Sequence, residues 1–136
     1  LALFKDNGVR SFSKVLIAVR PGRRNKRFID VADKICRHFG ASLTLLNIVS
    51  ESDNNQKIKR TEKNSIELIS ETKSKSAVKI IKSNNPVEAI SEESASYDLL
   101  ILGTPEKDNW IRVLFGSGED RFVKKAACSV LRLTIK

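Results

Sequence analysis

The stretch "GTPEKDNWIRVLFGS", Gly103 to Ser117, holds the residue types and spacing best suited to chemistry. It leaves an apolar run with a glycine and closes with Gly116-Ser117 ahead of a helical pattern. Glycine lets a backbone approach phosphate oxygens and take up positive φ. A helix start offers free N–H groups to an anion. The Ser117 hydroxyl can donate to a phosphate, and it also suits a cap, because Asp120 three residues on completes a capping box with Asp in place of Glu. Arg112 can hold a phosphate or stand solvated, and Trp110 suits a packing anchor better than a base-stacking platform. Glu106 and Asp108 oppose an anion. Two like unit charges about 4 Å apart, at an effective dielectric near 20, repel by roughly 4 kcal/mol. That corresponds to about three powers of ten in affinity.

Other chemistries find less support. His38 has no spaced Ser or Cys partner, and no carboxylate pair is set up for acid–base work. Cys36, Cys128 and His38 are too few for structural zinc. The two cysteines read as reduced, buried thiols of a cytosolic protein. The chain is therefore expected to hold no metal and no resident cofactor and not to be an enzyme.

The 25 basic residues outnumber 16 acidic ones, for a net charge of +9. That balance attracts polyanions, either nucleic acid or an anionic membrane leaflet. "RPGRRNKR" (20–27) and "KIKRTEK" (57–63) concentrate the charge, and a solvated surface explains them equally well. Aromatic residues make up only 6% and none lies within the basic runs, which weakens a single-stranded nucleic-acid platform. There is no apolar run of membrane-span length and no signal-peptide pattern, so a cytoplasmic domain is expected. The chain contains no methionine, which suggests a domain cut from a longer protein.

These residues need elements to position them. Residues 1–12 contain the turn signal Asn7-Gly8 and read as a linker or lead-in to a single domain over 13–136. "KVLIAVR" (14–20), "SLTLLNIV" (42–49), "AVKII" (77–81), "DLLILG" (98–103) and "CSVLRLTI" (128–135) read as strands, the first a near-continuous apolar run. The clearest helix covers 25–39, with Phe28, Val31, Ala32, Ile35 and Phe39 on one stripe and Gly40 closing it. A weaker helix covers 58–73, with Ile66 and Ile69 on one side. A third begins at Asn85-Pro86 with Val87 and Ile90 inward. A fourth covers about 118–127. Strands that alternate with helices pair in parallel through right-handed crossovers, giving an α/β doubly wound open sheet. Ligands of such sheets sit beyond the strand ends where strand order reverses, here at Val19-Arg20-Pro21 and Gly103-Thr104.

At this point the chain resembles the universal stress protein family over about residues 14–135. Members end the fourth strand on a glycine and run G-x2-G-x9-G-[S/T] into the last helix. Gly103 takes the first position, Glu106 the second, and Gly116-Ser117 the last. "SNNPVEAI", "DLLILGT" and "GSGEDRFVKKAACSVLRL" resemble the matching family segments. The resemblance implies a five-stranded parallel sheet in the order 3-2-1-4-5 with helices on both faces. It also implies a nucleotide site built on Val19, Arg20, Pro21, Gly103, Thr104, Glu106, Arg112, Gly116 and Ser117. Two departures stand out. ATP-binding members carry an aspartate at the first strand tip, where this chain has Arg20, and a glycine where it has Glu106.

The expectation is a non-catalytic regulatory or sensing domain with altered or lost ATP binding. "VLIAVRPGRRNKR" resembles the branch linked to amino-acid and cation-chloride transporters, so a cytoplasmic transporter domain near an anionic membrane surface is expected. The alternatives are a free-standing protein that binds ATP or AMP, and a basic nucleic-acid module. Members commonly dimerise through the last strand. An exposed edge there implies a homodimer through Val130, Leu131, Arg132, Leu133 and Thr134.

Overall fold

The computed structural model describes residues 2–5, 12–19, 25–103 and 129–133. Among them, β1 is Ala2–Lys5, β2 Lys14–Val19, α1 Asn25–Phe39, β3 Ser42–Val49, α2 Asn55–Ile69, β4 Ser76–Lys82, α3 Pro86–Ser94, β5 Leu99–Gly103 and β6 Ser129–Leu133. One sheet contains all six strands in the order β1-β6-β5-β2-β3-β4. The run β4-β3-β2-β5-β6 pairs in parallel, and β1 joins β6 antiparallel. The expected wholly parallel five-stranded sheet is thus corrected to a mixed sheet. Residues 2–5, read from the sequence as lead-in, supply the added strand.

The strands explain the core. In β2, Val15 and Ile17 face one side while Leu16 and Ala18 face the other, and all four are buried. In β5, Leu99 and Ile101 oppose Leu100 and Leu102 in the same way. A strand covered on both faces has no polar side, so its sequence reads as a continuous apolar run. Helices α1 and α2 cover one face and touch each other, and α3 packs on β3 from the opposite face.

Helix α1 matches its predicted span, and Gly40 closes it at φ +66°, a conformation that favours glycine. Its buried stripe is rotated from the expected one. Phe28, Ile29, Ala32, Asp33 and Cys36 are buried, whereas Phe39 is 44% exposed and rests edge-on against Phe12. Helix α2 starts and ends earlier than the expected 58–73, at Asn55 and Ile69. Asn54 caps it, its Oδ1 accepting from the Lys57 backbone N–H at 2.8 Å. Ile66 is 51% exposed, and Ser65, one position back on the helix, takes the inward place beside Ile69. Asn85 caps α3 by accepting from the Glu88 N–H, and Pro86 follows in the first turn, where its missing donor costs nothing.

Candidate functional site

The site is set by the pairing of β2 with β5. Strand β2 lies between β3 and β5. The chain leaves β2 toward β3 through α1, and it continues from β5 to the other side, toward β6. Strand order therefore reverses between β2 and β5, which is where open α/β sheets hold ligands. The register runs from Val15 opposite Leu99 to Val19 opposite Gly103. Val19 and Gly103, the described residues of the two predicted strand tips, thus stand side by side, about 4.8 Å apart as neighbouring strands are.

A clasp at the opposite end fixes this register. The Asp98 Oδ2 accepts from the Ser13 N–H at 2.9 Å, the Ser13 hydroxyl at 2.8 Å and the Lys14 N–H at 2.9 Å. The Asp98 N–H in turn donates to the Lys14 carbonyl at 2.8 Å. The hydrogen bond from the Ser13 backbone is the main influence on the carboxyl. Aided by the Ser13 hydroxyl, the Lys14 N–H and the Lys14 charge, and opposed by burial, it holds Asp98 below the usual carboxylate range. A one-residue slip would break this clasp and turn every β5 side chain to the wrong face.

Of the predicted nucleotide-site residues, the structure brings Val19 and Gly103 together. Arg20, Pro21, Thr104, Glu106, Arg112, Gly116 and Ser117 lie outside the described residues. So do Cys128, Thr134 and the fourth predicted helix. Cys36 is buried as expected, and burial followed by the nearby Asp33 charge pushes its thiol up to about 12, which leaves it unreactive as a nucleophile. His38 is exposed late in α1, with its ring edge-on to Phe39. No metal-binding group of three or more His, Cys, Asp or Glu side chains occurs among the described residues, and no described helix is long and apolar enough to cross a membrane.

The predicted dimer strand needs correction. Val130 to Leu133 do not form a free edge, because β1 pairs along them, with Lys5 opposite Val130, Phe4 opposite Leu131, Leu3 opposite Arg132 and Ala2 opposite Leu133. The sequence signal for β1 was only "ALFK" ahead of Asn7-Gly8.

Sequence reasoning also missed a cavity of about 320 Å³ beside α3 and the end of β4. Its lining includes Lys82, Glu88, Glu92 and Glu93, and three carboxylates against one lysine make it unsuited to a phosphate.

The strand order and the β2–β5 switch point define a doubly wound α/β protein, a class whose ligands sit beyond the strand ends at such a switch point. The chain belongs to the universal stress protein family, whose family model matches residues 11–133. Solved structures agree on the fold. A universal stress protein in complex with cAMP has a TM-score of 0.68 at 17% identity, covering 92% of this chain and 98% of that one. One from Lactobacillus plantarum has a TM-score of 0.64 at 18% identity, covering 93% and 99%. One from Archaeoglobus fulgidus in complex with dAMP has a TM-score of 0.63 at 16% identity, covering 93% and 100%. No curated protein matches this chain.

Proposed function

We propose that this chain is a non-catalytic regulatory or sensing domain whose β2–β5 cleft has moved away from ATP, and that it serves as a cytoplasmic domain of a membrane transporter. The observation that carries the reading is the pairing of Val19 with Gly103, together with the charged residue that comes shortly after each of them in the chain. Arg20 comes directly after Val19, and Glu106 comes three residues after Gly103. A fixed cation thus stands past the strand tip where ATP-binding relatives carry an aspartate, and a carboxylate takes the place of a phosphate-loop glycine. On this reading Glu106 opposes the charge of a triphosphate, and Arg20 is the opposite charge with which it would pair. The net charge of +9 suits a domain held near an anionic leaflet.

Calorimetric titration with ATP tests this reading. The expected result is no binding below millimolar ATP in the native chain. In the Arg20→Asp/Glu106→Gly variant, binding is expected to tighten at least 100-fold. Micromolar ATP binding by the native chain would sink the proposal. An Arg20→Ala/Glu106→Ala double-mutant cycle then reads their coupling, and additive effects would remove the pairing from the account.

A second reading is a free-standing protein that binds an adenosine monophosphate. Similar structures in complex with cAMP and dAMP favour it, since a monophosphate brings less negative charge toward Glu106. AMP and cAMP in the same titration separate the two readings.

A further inference from the structure

We infer that the outer face of α1 and α2 is a docking surface for an anionic lipid bilayer. The inference rests on the reading of this chain as a domain held near an anionic leaflet, and it names the face that meets the leaflet. Charge is divided unevenly between the two sides of the sheet. Helices α1 and α2 each carry four Lys or Arg against two carboxylates, whereas α3 carries three carboxylates and no cation. Both basic helices pack on the same face of the sheet and touch each other. Arg27 and Lys34 lie two turns apart on the side of α1 opposite the buried Ile29, Ala32 and Cys36. Lys59 and Lys63 lie one turn apart on the side of α2 away from the buried Ser65 and Ile69. All four cations are exposed, and none forms an ion pair with another described residue.

Apolar side chains on this face choose a bilayer over other polyanions. The two exposed large apolar residues among the described ones, Phe39 at 44% and Ile66 at 51%, belong to these same helices. Ile66 lies one turn beyond Lys63, within the basic stretch of α2. A headgroup layer accepts cations and a partly inserted apolar group together, whereas a duplex backbone rewards the cations alone. Distance then decides which charges count. Packed layers lie about 10 Å apart, so α3 stands roughly 20 Å behind the layer of α1 and α2. The screening length at physiological ionic strength is about 8 Å. Charges on the outer face of α1 and α2 therefore feel the bilayer, while the carboxylates of α3 are screened from it and do not oppose docking. Each Lys or Arg held near an anionic surface strengthens binding roughly fivefold. A uniformly charged domain would meet a membrane in any orientation, and the division of charge between the two faces selects one.

Co-sedimentation with vesicles tests this at about 0.1 M salt, with far-UV circular dichroism confirming that each protein is folded. The vesicles are phosphatidylcholine alone or with about 30% phosphatidylserine. The native chain is expected to bind the anionic vesicles and not the neutral ones. Lys34→Gln/Lys63→Gln is expected to bind them about 25-fold more weakly. Lys14→Gln/Lys79→Gln has the same net charge, but the alternation of β2 and β4 turns these two lysines to the α3 side. It is expected to lose less than about threefold. Ile66→Ser is expected to weaken vesicle binding about threefold and to leave binding to duplex DNA unchanged. Equal losses in the two lysine pairs would mean that net charge binds the vesicles, which overturns the inference and leaves the reading of a domain near a leaflet standing. Binding to neither vesicle overturns both. Tighter binding to duplex DNA than to anionic vesicles at the same salt, weakened by Lys34→Gln/Lys63→Gln, makes the face a nucleic-acid surface and also overturns the inference. An Ile66→Ser chain that binds vesicles as tightly as the native one overturns the choice of a bilayer.

Discussion

On the face covered by α1 and α2, the buried polar side chains reach across to other elements, whereas on the α3 face they fold back onto their own helix. Asp33 of α1 accepts from the Lys73 N–H at 3.2 Å, the Ser74 N–H at 3.0 Å and the Ser74 hydroxyl at 2.6 Å, tying α1 to the connection before β4. Asn47 of β3 donates to the Ser65 hydroxyl of α2, and both are buried. On the other side Ser91 donates to the Val87 carbonyl and Ser94 to the Ser91 carbonyl, each within α3. The tie from α3 to the sheet is the Lys79–Glu93 ion pair, whose lysine is 48% exposed and whose contribution water weakens. Among the described residues, apolar packing sits on both faces, but the buried side-chain bonds between elements lie on the first. Such bonds specify position, because a misplaced partner leaves a buried group unsatisfied. Among the described residues, α3 is therefore held on the sheet chiefly by apolar packing of Ile90 and Val87.

Removing Asp33 tests that contrast most severely. Asp33→Ala strands two backbone N–H groups and a hydroxyl, and is expected to lower unfolding stability by about 3 kcal/mol. Urea denaturation measures the loss. Alkylation of the buried Cys36 thiol, read on its own peptide by mass spectrometry, should speed up by about 100-fold if labelling requires unfolding, the rate equivalent of that energy. A loss below about 1 kcal/mol would mean that α1 is held by apolar packing alone.

The same carboxylate gives the acid limb of stability its sign. Burial pushes Asp33 up, but the Ser74 hydroxyl, the Lys73 and Ser74 N–H groups and the Arg37 charge outweigh it and hold it below its usual value. A group with a depressed folded value adds stability above its unfolded value, near pH 4, and loses it as pH falls through the folded one. Asp98 acts in the same direction. Stability is therefore expected to fall as pH drops below about 4. Asp33→Asn and Asp98→Asn should each flatten that fall in urea midpoints measured from pH 7 to pH 2. A slope unchanged in both variants would move the acid sensitivity elsewhere.

The next effect is smaller. Ser65→Ala leaves the Asn47 amide buried without its acceptor and is expected to cost about 1–2 kcal/mol. Replacing both partners, as Asn47→Leu/Ser65→Ala, should recover part of that loss, because neither buried group then lacks a partner. A double-mutant cycle read from urea midpoints checks the coupling, and additive losses would mean that the pair does not hold α2 to β3.

These ties also mark what could be read in the sequence. "VLIAV" and "LLILG" announce strands buried on both faces because no polar residue interrupts them, and Asn85-Pro86 announces a helix start by its chemistry. Asp33 was missed because a charge in a helix usually marks the wet side. Its signal lay in its spacing, four residues after Ile29 and three before Cys36. Ser65 lost to Ile66 for the same reason, since hydropathy ranks isoleucine inward and only the partner strand reveals that a hydroxyl is wanted. Strand β1 is four residues long and owes its state to the β6 edge beside it, a long-range pairing that local pattern does not encode. At the site, the motif spacing from Gly103 to Ser117 was legible. The placing of Val19 opposite Gly103 rests on the Asp98 clasp, which joins residues 84 and 85 positions apart in the chain.

The smallest expected effect completes the comparison from the α3 side. Ser91 and Ser94 are as well buried as Asn47 and Ser65, at 3% and 0% exposure, so burial alone would rank the four alike. Their hydroxyls satisfy carbonyls that already lie within their own helix, and no other element loses a partner when they go. Alanine also favours a helix over serine by up to about 0.5 kcal/mol. This offsets most of the net worth of one neutral hydrogen bond, about 1 kcal/mol. Ser91→Ala and Ser94→Ala are therefore each expected to shift stability by no more than about 0.5 kcal/mol. Thermal and urea denaturation of each variant beside Ser65→Ala provides the check. A loss at Ser94 equal to that at Ser65 would show that a buried hydroxyl is costly to remove wherever its bond points, and the distinction between the two faces would fall.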